Sequence, residues 1–494
     1  MDIFSIRKNF IISQLVVLTI ALLYEYTIGN SNNYTFILLY SLWNGCSYIW
    51  LFIKEMKYSP DFHPFQILAL VCAQFIGFSG ISIYSELING EKLYFGSTMI
   101  NSSVYMGVIY LSLQHILLFA IFYYFENRHK YDDENSIKIA DRIIGSRVPY
   151  FKWALLFYVF VWFMRFLSLI IPLSTISSVL VNLSTGGYIL TLFLLLFEMI
   201  KTPNNEIAMI IHWVIVAIEI AIVMNHGMKE EIIRPLVPYC VYLIIMFKSG
   251  YISLNSKTIV KVGVISAFVI FFVFPYVSIF RSFSIKKGKS WNEISTTEVL
   301  TEYHKYLNNE GIYANKDQQR SAGYFMSRAG SIGCNAFSIN YAKTKGTKPE
   351  YLAYCGTAII PRFIWKNKPT VVTGGMAYRL ATGDSNWLKP QKADNYGCSV
   401  SLGYIGSLYF SIGLFGAIII ITLQSCFLWY LWFFYKYKIL YNIVALWAFI
   451  SFLFVLLKDF ESFQDCGLNF CAFSLVYLFI CSLLFRGPKH LVNL

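Results

Sequence analysis

Charged residues are scarce in this chain of 494 residues: they make up 14% of it, whereas hydrophobic residues make up 57% and the mean hydropathy is +0.55. A soluble domain of this length cannot carry so apolar a composition on its surface, so a soluble globular enzyme is excluded. The net charge of +13 would suggest nucleic-acid binding in a soluble protein, but here it belongs to the connections between apolar runs. We therefore predict an integral membrane protein with no nucleic-acid partner.

Several chemical motifs are also missing. The sequence has no G-x-x-x-x-G-K-[ST] loop, no H-E-x-x-H, no D-x-D and no C-x-x-C. ATP-driven transport and cytoplasmic transfer from sugar nucleotides are therefore disfavoured, and we predict no metal and no cofactor. Four of the ten cysteines fall on the predicted outer side, where a disulfide is an open alternative; these are Cys334, Cys355, Cys398 and Cys466.

Twelve apolar stretches are long enough to suggest membrane spans, because a helix needs about 20 apolar residues to cross the hydrocarbon core. We predict an all-α polytopic membrane protein with about 12 transmembrane helices. It divides into an N-terminal transmembrane bundle (1–280), a large extracytoplasmic loop (281–398) and C-terminal transmembrane helices (399–494). The stretches are Phe10–Ile28, Tyr34–Ile53, Gln66–Tyr84, Val104–Phe125, Trp153–Leu173, Val179–Phe197, Ile207–Met224, Ile232–Met246, Val260–Phe280, Ser399–Phe434, Ile439–Leu457 and Leu468–Phe485.

The basic residues beside these stretches predict the orientation. With the N-terminus inside, the inner connections carry 18 Lys and Arg residues, and the short outer loops carry only Lys92, Lys229 and Lys458. Basic residues next to spans are retained in the cytoplasm. Both termini are therefore predicted to be cytoplasmic and segment 281–398 to lie outside.

Few ionisable residues fall inside the spans, and such residues are candidates for function because an unpaired charge in hydrocarbon is costly. Arg165 and Glu219 either form an ion pair that holds the bundle together or contribute to a polar pathway. His115 and His212 are expected to be hydrogen-bonded packing residues. Arg234 precedes Pro235, which favours the first turn of a helix, where the free N–H groups attract an anion.

The predicted outer loop is basic, with 17 Lys and Arg residues against eight acids. Two stretches look suited to re-enter the bilayer. Tyr351–Trp365 is apolar but too short to cross, and Pro361 and Arg362 interrupt it. The stretch from Ser399 contains several glycines, so we expect a short half-helix followed by a full span.

The order of these features resembles the bacterial oligosaccharide repeat-unit polymerases, the Wzy-type O-antigen and capsule polymerases. The local likeness lies in K-E-E-I-I-R (Lys229–Arg234), in I-P-R-F-I-W-K-N-K-P (Ile360–Pro369), in Gly374–Gly375, and in the Gly-Tyr-rich entry to a late span that ends at Gly413–Gly416. The resemblance implies a GT-C-like membrane glycosyltransferase of the bacterial inner membrane that works without metal. The implied donor and acceptor are undecaprenyl-diphosphate-linked glycans, and membrane lipids are the other implied partners. A partner that regulates chain length remains open.

The implied reaction needs cations for the diphosphate leaving group and a base for the acceptor hydroxyl. Arginine suits the first role because its planar fork binds two phosphate oxygens. The candidates for binding the lipid diphosphate are Arg234, Arg281, Arg328 and Arg362, with Lys366 and Lys368 as weaker ones. The candidates for the base, which the sequence does not rank, are Glu231, Glu302, His304 and His226.

Two alternatives stay open at this point. An O-antigen ligase shares the span count, the outer loop and the donor, but transfers the glycan to a lipid A core. A lipid-linked glycan flippase is a transporter, in which Arg165, His212 and Glu219 would line a cavity. The lengths of the products distinguish these three functions.

Overall fold

The computed structural model describes residues 2–28, 34–90, 92–95, 98–129, 139–145, 147–170, 174–202, 205–224, 237–252, 276, 279, 295–308, 332–357, 377, 379–383 and 402–438. These residues are mainly helical, with one short hairpin that pairs Tyr94–Phe95 with Thr98–Met99. The helices are α1 (Ile3–Ile28), α2 (Tyr34–Tyr58), α3 (Pro64–Cys72), α4 (Ser79–Ile88), α5 (Val104–Arg128), α6 (Ile139–Gly145), α7 (Tyr150–Ile170), α8 (Ser174–Lys201), α9 (Glu206–Met224), α10 (Val237–Lys248), α11 (Thr296–Leu307), α12 (Ile332–Lys345), α13 (Pro349–Thr357) and α14 (Tyr404–Lys438).

Six helical stretches in the described ranges are long and apolar enough to cross a membrane. They are Ile3–Thr27, Tyr34–Tyr58, Pro64–Ile88, Asn101–Arg128, Tyr150–Ile170 and Tyr404–Tyr430. The chain is therefore a helical membrane protein, as its composition indicates. The predicted sixth and seventh spans also fall within helices, α8 and α9. The predicted ninth, eleventh and twelfth spans lie outside the described residues, apart from Tyr276 and Ile279, so the count of twelve stays a prediction.

Two compact units account for the internal contacts of the chain. Unit 1 draws on residues 1–59, 63–136 and 326–494, and unit 2 on 60–62 and 137–325. Helix α5 lies at the centre of unit 1 and packs against α1, α2, α12 and α14. It is apolar on every side, as expected of a helix that other helices surround. At Gly107 the backbone of α12 approaches so closely that a Cβ atom would lie 2.1 Å from the carbonyl oxygen of Ile332.

Helix α2 crosses the α3–α4 segment at two glycines. Between α3 and α4 the chain forms one π-helical turn, Ala73–Phe78. A Cβ atom at Gly77 would lie 2.5 Å from the Cα atom of Gly45, which is a backbone atom that cannot rotate away. Small residues allow such a close approach in helical membrane proteins. The crossing therefore depends on the absence of a side chain at Gly77.

We expect Gly77→Ala to destabilise the protein by about 1–3 kcal/mol, because the added methyl group pushes two backbones apart. Denaturation in detergent micelles measures the change. Gly145→Ala is the matched control, since a Cβ atom there meets nothing within 4 Å. Equal stability of the two variants would contradict the close crossing.

Helix α14 is interrupted at Gly413, which has a left-handed backbone (φ 74°). The predicted interruption of this run is therefore present, with residues 404–412 before it and 414–438 after it; the division into a half-helix and a full span stays a prediction. The carbonyl of Phe410, one turn before the break, accepts the N–H of Lys348 at 2.8 Å. The connection between α12 and α13 therefore supplies a donor that the interrupted helix lacks.

Unit 2 is built around the pair α7 and α8, and α8 also packs against α6, α9 and α10. A Cβ atom at Gly187 in α8 would lie 2.8 Å from the side chain of Val161 in α7. The opposite face of α7 exposes large apolar side chains such as Val159 and Phe166. Such a face suits a helix that meets lipid.

Candidate functional site

The residues predicted for catalysis and diphosphate binding lie mostly outside the described residues. This applies to His226, Glu231, Arg234, Arg281, Arg328, Arg362, Lys366 and Lys368. The structure describes the remaining two, Glu302 and His304, on α11 of unit 2. Glu302 pairs with Lys305 at 2.9 Å, and the exposed His304 ring lies 3.1 Å from the side-chain nitrogen of Asn308. Their roles as the base stay predictions.

Helix α11 is amphipathic, which explains where its side chains lie. Ser295 caps its first turn by accepting the N–H of Thr297. Val299 is buried, and the Tyr303 ring contacts Tyr276 with 5.6 Å between centroids. Burial raises the pKa of Tyr303. His304 lies on the opposite, exposed face of α11, where its side chain is open to solvent.

One end of unit 1, which we call the Glu25 end, joins the predicted outer segment to the spans. The ammonium group of Lys343 in α12 pairs with the Glu25 carboxylate in α1. The same ammonium group lies 4.9 Å from the centre of the Tyr110 ring in α5. An ion pair and a cation–π contact thus hold one helix of segment 281–398 against two membrane helices.

Segment 332–357 is embedded in unit 1 by polar contacts as well. The side-chain oxygen of Asn335 accepts the N–H of Gly406 at 2.9 Å, and that of Gln114 accepts the N–H of Ile405 at 3.3 Å. Gly403, with φ +75°, leaves the space that Asn335 fills. Two side-chain amides therefore satisfy N–H groups at the start of α14, as helix caps do.

The opposite end of unit 1, which we call the Arg7 end, contains a buried cluster of four ionisable side chains. Arg7 contacts Glu55 through two nitrogens, at 2.6 and 2.9 Å, and Glu126 through a third at 2.5 Å. The Nε2 atom of His63 lies 2.5 Å from the other oxygen of Glu126. None of the four is more than 6% exposed. We call Arg7, Glu55, His63 and Glu126 the buried quartet.

The quartet ties together the ends of four helical segments, because its members come from α1, α2, the start of α3 and the end of α5. Aromatic rings surround it: the Phe65 ring lies 4.9 Å from the Arg7 guanidinium carbon, and the Trp432 ring lies 5.7 Å from that of His63. Charges removed from water in this way need close partners. Arg7 is the close cationic partner of both carboxylates, Glu55 and Glu126.

No pattern in the sequence predicted this quartet. Glu55 and Glu126 come just after the predicted spans Tyr34–Ile53 and Val104–Phe125, and so count as connection residues by hydropathy. Arg7 counted only as one of the basic residues that set orientation. An acid directly after an apolar run, within a basic connection, is the signal that could have indicated buried pairing.

The ion pair between Arg165 and Glu219, one of the two alternatives offered by the sequence, is present. In unit 2 the guanidinium group of Arg165 donates two hydrogen bonds to Glu219, at 2.9 and 2.6 Å. Glu219 is fully buried, and the Trp162 ring lies 5.3 Å from the Arg165 guanidinium carbon. The pair joins α7 to α9.

Cys334 is a buried free thiol, so no disulfide involves it in the structure. Among the described residues no group of three or more His, Cys, Asp or Glu could hold a metal ion. The absence of a metal or cofactor stays a prediction.

The fold and these sites define the class of protein: a helical membrane protein with a buried ionic quartet at one end of unit 1 and a helical segment docked at the other. Comparison with protein-family models, with curated proteins and with solved structures gives no match.

Proposed function

We propose that the protein polymerises undecaprenyl-diphosphate-linked oligosaccharide repeat units into O-antigen or capsular polysaccharide. It would do so at the outer face of the bacterial inner membrane, with both termini cytoplasmic and with a GT-C-like fold of about twelve spans. The proposal rests on the order of spans and loop and on the motifs Lys229–Arg234 and Ile360–Pro369. The structural observation that carries it is the docking of segment 332–357 against α5 and α14.

This docking matters because glycosyl transfer to a lipid-linked acceptor needs cations held at the membrane surface. In the sequence, Arg328 shortly precedes α12 and Arg362 shortly follows α13. In this proposal, the segment fixed by Lys343, Asn335 and the backbone of Lys348 would anchor the stretches of chain that carry the two arginines. Preorganised cations stabilise developing charge without reorganising during the reaction.

In the proposed reaction, a hydroxyl oxygen of the acceptor sugar forms a bond to the anomeric carbon of the donor. The bond from that carbon to the diphosphate oxygen breaks, and undecaprenyl diphosphate leaves with the electron pair. Arg234, Arg281, Arg328 and Arg362 would bind its phosphates, with help from Lys366 and Lys368. The hydroxyl proton passes to one of the four candidate bases, Glu231, Glu302, His304 or His226.

Arg234→Ala and Arg362→Ala should each lower the rate of transfer by roughly 10²-fold, because each removes a cation that stabilises the leaving group in the transition state. The assay is incubation of purified protein with one defined lipid-linked repeat unit, followed by separation of product lengths on a gel. Lys389→Ala is the control, as a basic residue of the same segment outside the proposed site. Full polymerisation by both arginine variants would contradict the site assignment.

The same assay separates the alternatives. A polymerase gives a ladder of lengths on undecaprenyl diphosphate, a ligase transfers glycan only to a lipid A core, and a flippase leaves the length unchanged. The structure does not favour the flippase, because Arg165 and Glu219 neutralise each other rather than presenting free charges to a cargo. Products of a single repeat length would contradict the proposed function.

A further inference from the structure

His63 makes two different side-chain contacts at the Arg7 end. Its Nδ1 atom accepts the backbone N–H of Phe65 at 3.1 Å, which caps the first turn of α3. Its Nε2 atom faces the Glu126 carboxylate at 2.5 Å. Gln66 completes a capping box by accepting the backbone N–H of His63 at 3.1 Å, and Pro64 occupies the first helical position.

These contacts determine the protonation of the ring. A nitrogen that accepts an N–H must offer its lone pair, so Nδ1 carries no proton. The proton of the neutral ring is then on Nε2, where it is donated to Glu126. His63 is therefore a neutral imidazole in this structure, and Glu126 is an ionised carboxylate that accepts from both His63 and Arg7.

We propose that His63 is a proton-operated cap: a second proton, which must bind at Nδ1, breaks the bond that caps α3 and loosens the Arg7 end of unit 1. After that protonation, the N–H of Nδ1 and the N–H of Phe65 would face each other as two donors. One of them must turn away, and the first turn of α3 loses its side-chain cap. This inference does not depend on the proposed polymerase function.

The charged groups around His63 have opposite effects on the binding of this second proton. Among the described residues Arg7 faces it from α1, Glu55 from α2 and Glu126 from α5, while α14 contributes only the neutral ring of Trp432. With a neutral imidazole the quartet carries one positive and two negative charges, so a further proton would balance it. The cap, the loss of hydration and the positive charge of Arg7 oppose that proton.

The structure favours the neutral imidazole of His63, even though a further proton would balance the charge of the quartet. Burial is the largest influence that lowers the pKa of His63 below its ordinary value of 6.5, and Arg7 lowers it further. A histidine whose pKa is lower in the folded than in the unfolded protein stabilises the fold fully above the unfolded value. That contribution is lost as the pH falls from the unfolded pKa through the folded one. The Arg7 end should therefore loosen in acid.

Thermal unfolding of the full chain in detergent micelles, from about pH 8 to about pH 5, tests the proposal. The melting temperature of the wild type should fall once the pH drops below the ordinary histidine pKa. His63→Asn should lose much less over the same interval, because asparagine also caps helices but does not titrate there. His304→Asn, at an exposed histidine, should keep the wild-type pH profile. A parallel fall of wild type and His63→Asn would overturn the proposal.

Nitrogen NMR of the wild-type protein labelled at histidine gives a second readout, which remains useful if His63→Asn does not fold. We expect the Nε2-protonated neutral ring at the upper pH and a doubly protonated ring in acid, with the amide of Phe65 changing its hydrogen-exchange rate at the same pH. A proton on Nδ1 at the upper pH would overturn the proposal.

Discussion

Arg7→Met should destabilise the protein by about 3–5 kcal/mol, because it leaves the carboxylates of Glu55 and Glu126 buried without their cation. Arg7 makes three short contacts to these two groups, and all three side chains are buried. Methionine preserves much of the apolar stem, so the loss reports the guanidinium group rather than a cavity. Urea or SDS denaturation of purified protein in mixed micelles measures the difference.

Lys8→Met provides the matched control for this prediction. Lys8 is the neighbouring basic residue on α1, but its side chain is exposed. The control loses one positive charge with the same replacement, and its stability should stay within about 0.5 kcal/mol of the wild type. An equal loss in both variants would show that charge near the N-terminus, and not the buried quartet, accounts for the effect.

Arg165→Leu should also destabilise the protein by about 3–5 kcal/mol, because Glu219 is then left charged and fully buried. The double variant Arg165→Leu/Glu219→Leu should recover most of this loss, because two apolar side chains leave no uncompensated charge between α7 and α9. The same denaturation measurement, arranged as a double-mutant cycle, gives the interaction free energy.

The outcome depends on the sign of the coupling in this cycle. A buried pair gives a double variant more stable than Arg165→Leu alone. Losses that simply add would mean that Arg165 and Glu219 act independently, contrary to the two hydrogen bonds between them. Glu219→Leu completes the cycle as the second single variant.

Hydropathy and charge predicted much of the fold because both reflect the free energy of transferring side chains from water into the bilayer. The spans in the described ranges coincide with helices to within about a turn or two. The ion pair between Arg165 and Glu219 was one of two alternatives that the sequence offered, because opposite charges inside apolar runs are stabilised by pairing. The break at Gly413 followed from the glycines in a run too long for one crossing. The apolar runs, the charges within them and the glycines can each be read from a short stretch of sequence.

The remaining features depend on contacts between distant parts of the chain. Helix α1 begins at Ile3 rather than near Phe10, because Arg7 finds two carboxylates that hydropathy cannot anticipate. Helix α12 was missed because its buried face packs against α5 and α14 instead of lipid, so polar residues such as Asn335 are accommodated. The pairing of His63 with Glu126 likewise joins residues 63 positions apart.

The bond between the Lys348 N–H and the Phe410 carbonyl has a consequence for biogenesis. Because synthesis runs from the N-terminus, Lys348 is made before Phe410, and the donor of this hydrogen bond therefore precedes its acceptor. Residues 404–412 can therefore pack against a connection between α12 and α13 that is already part of the nascent chain. A deletion within 346–348 would disrupt that connection. The Phe410 carbonyl would then lack its hydrogen-bond donor when the later helix enters the membrane.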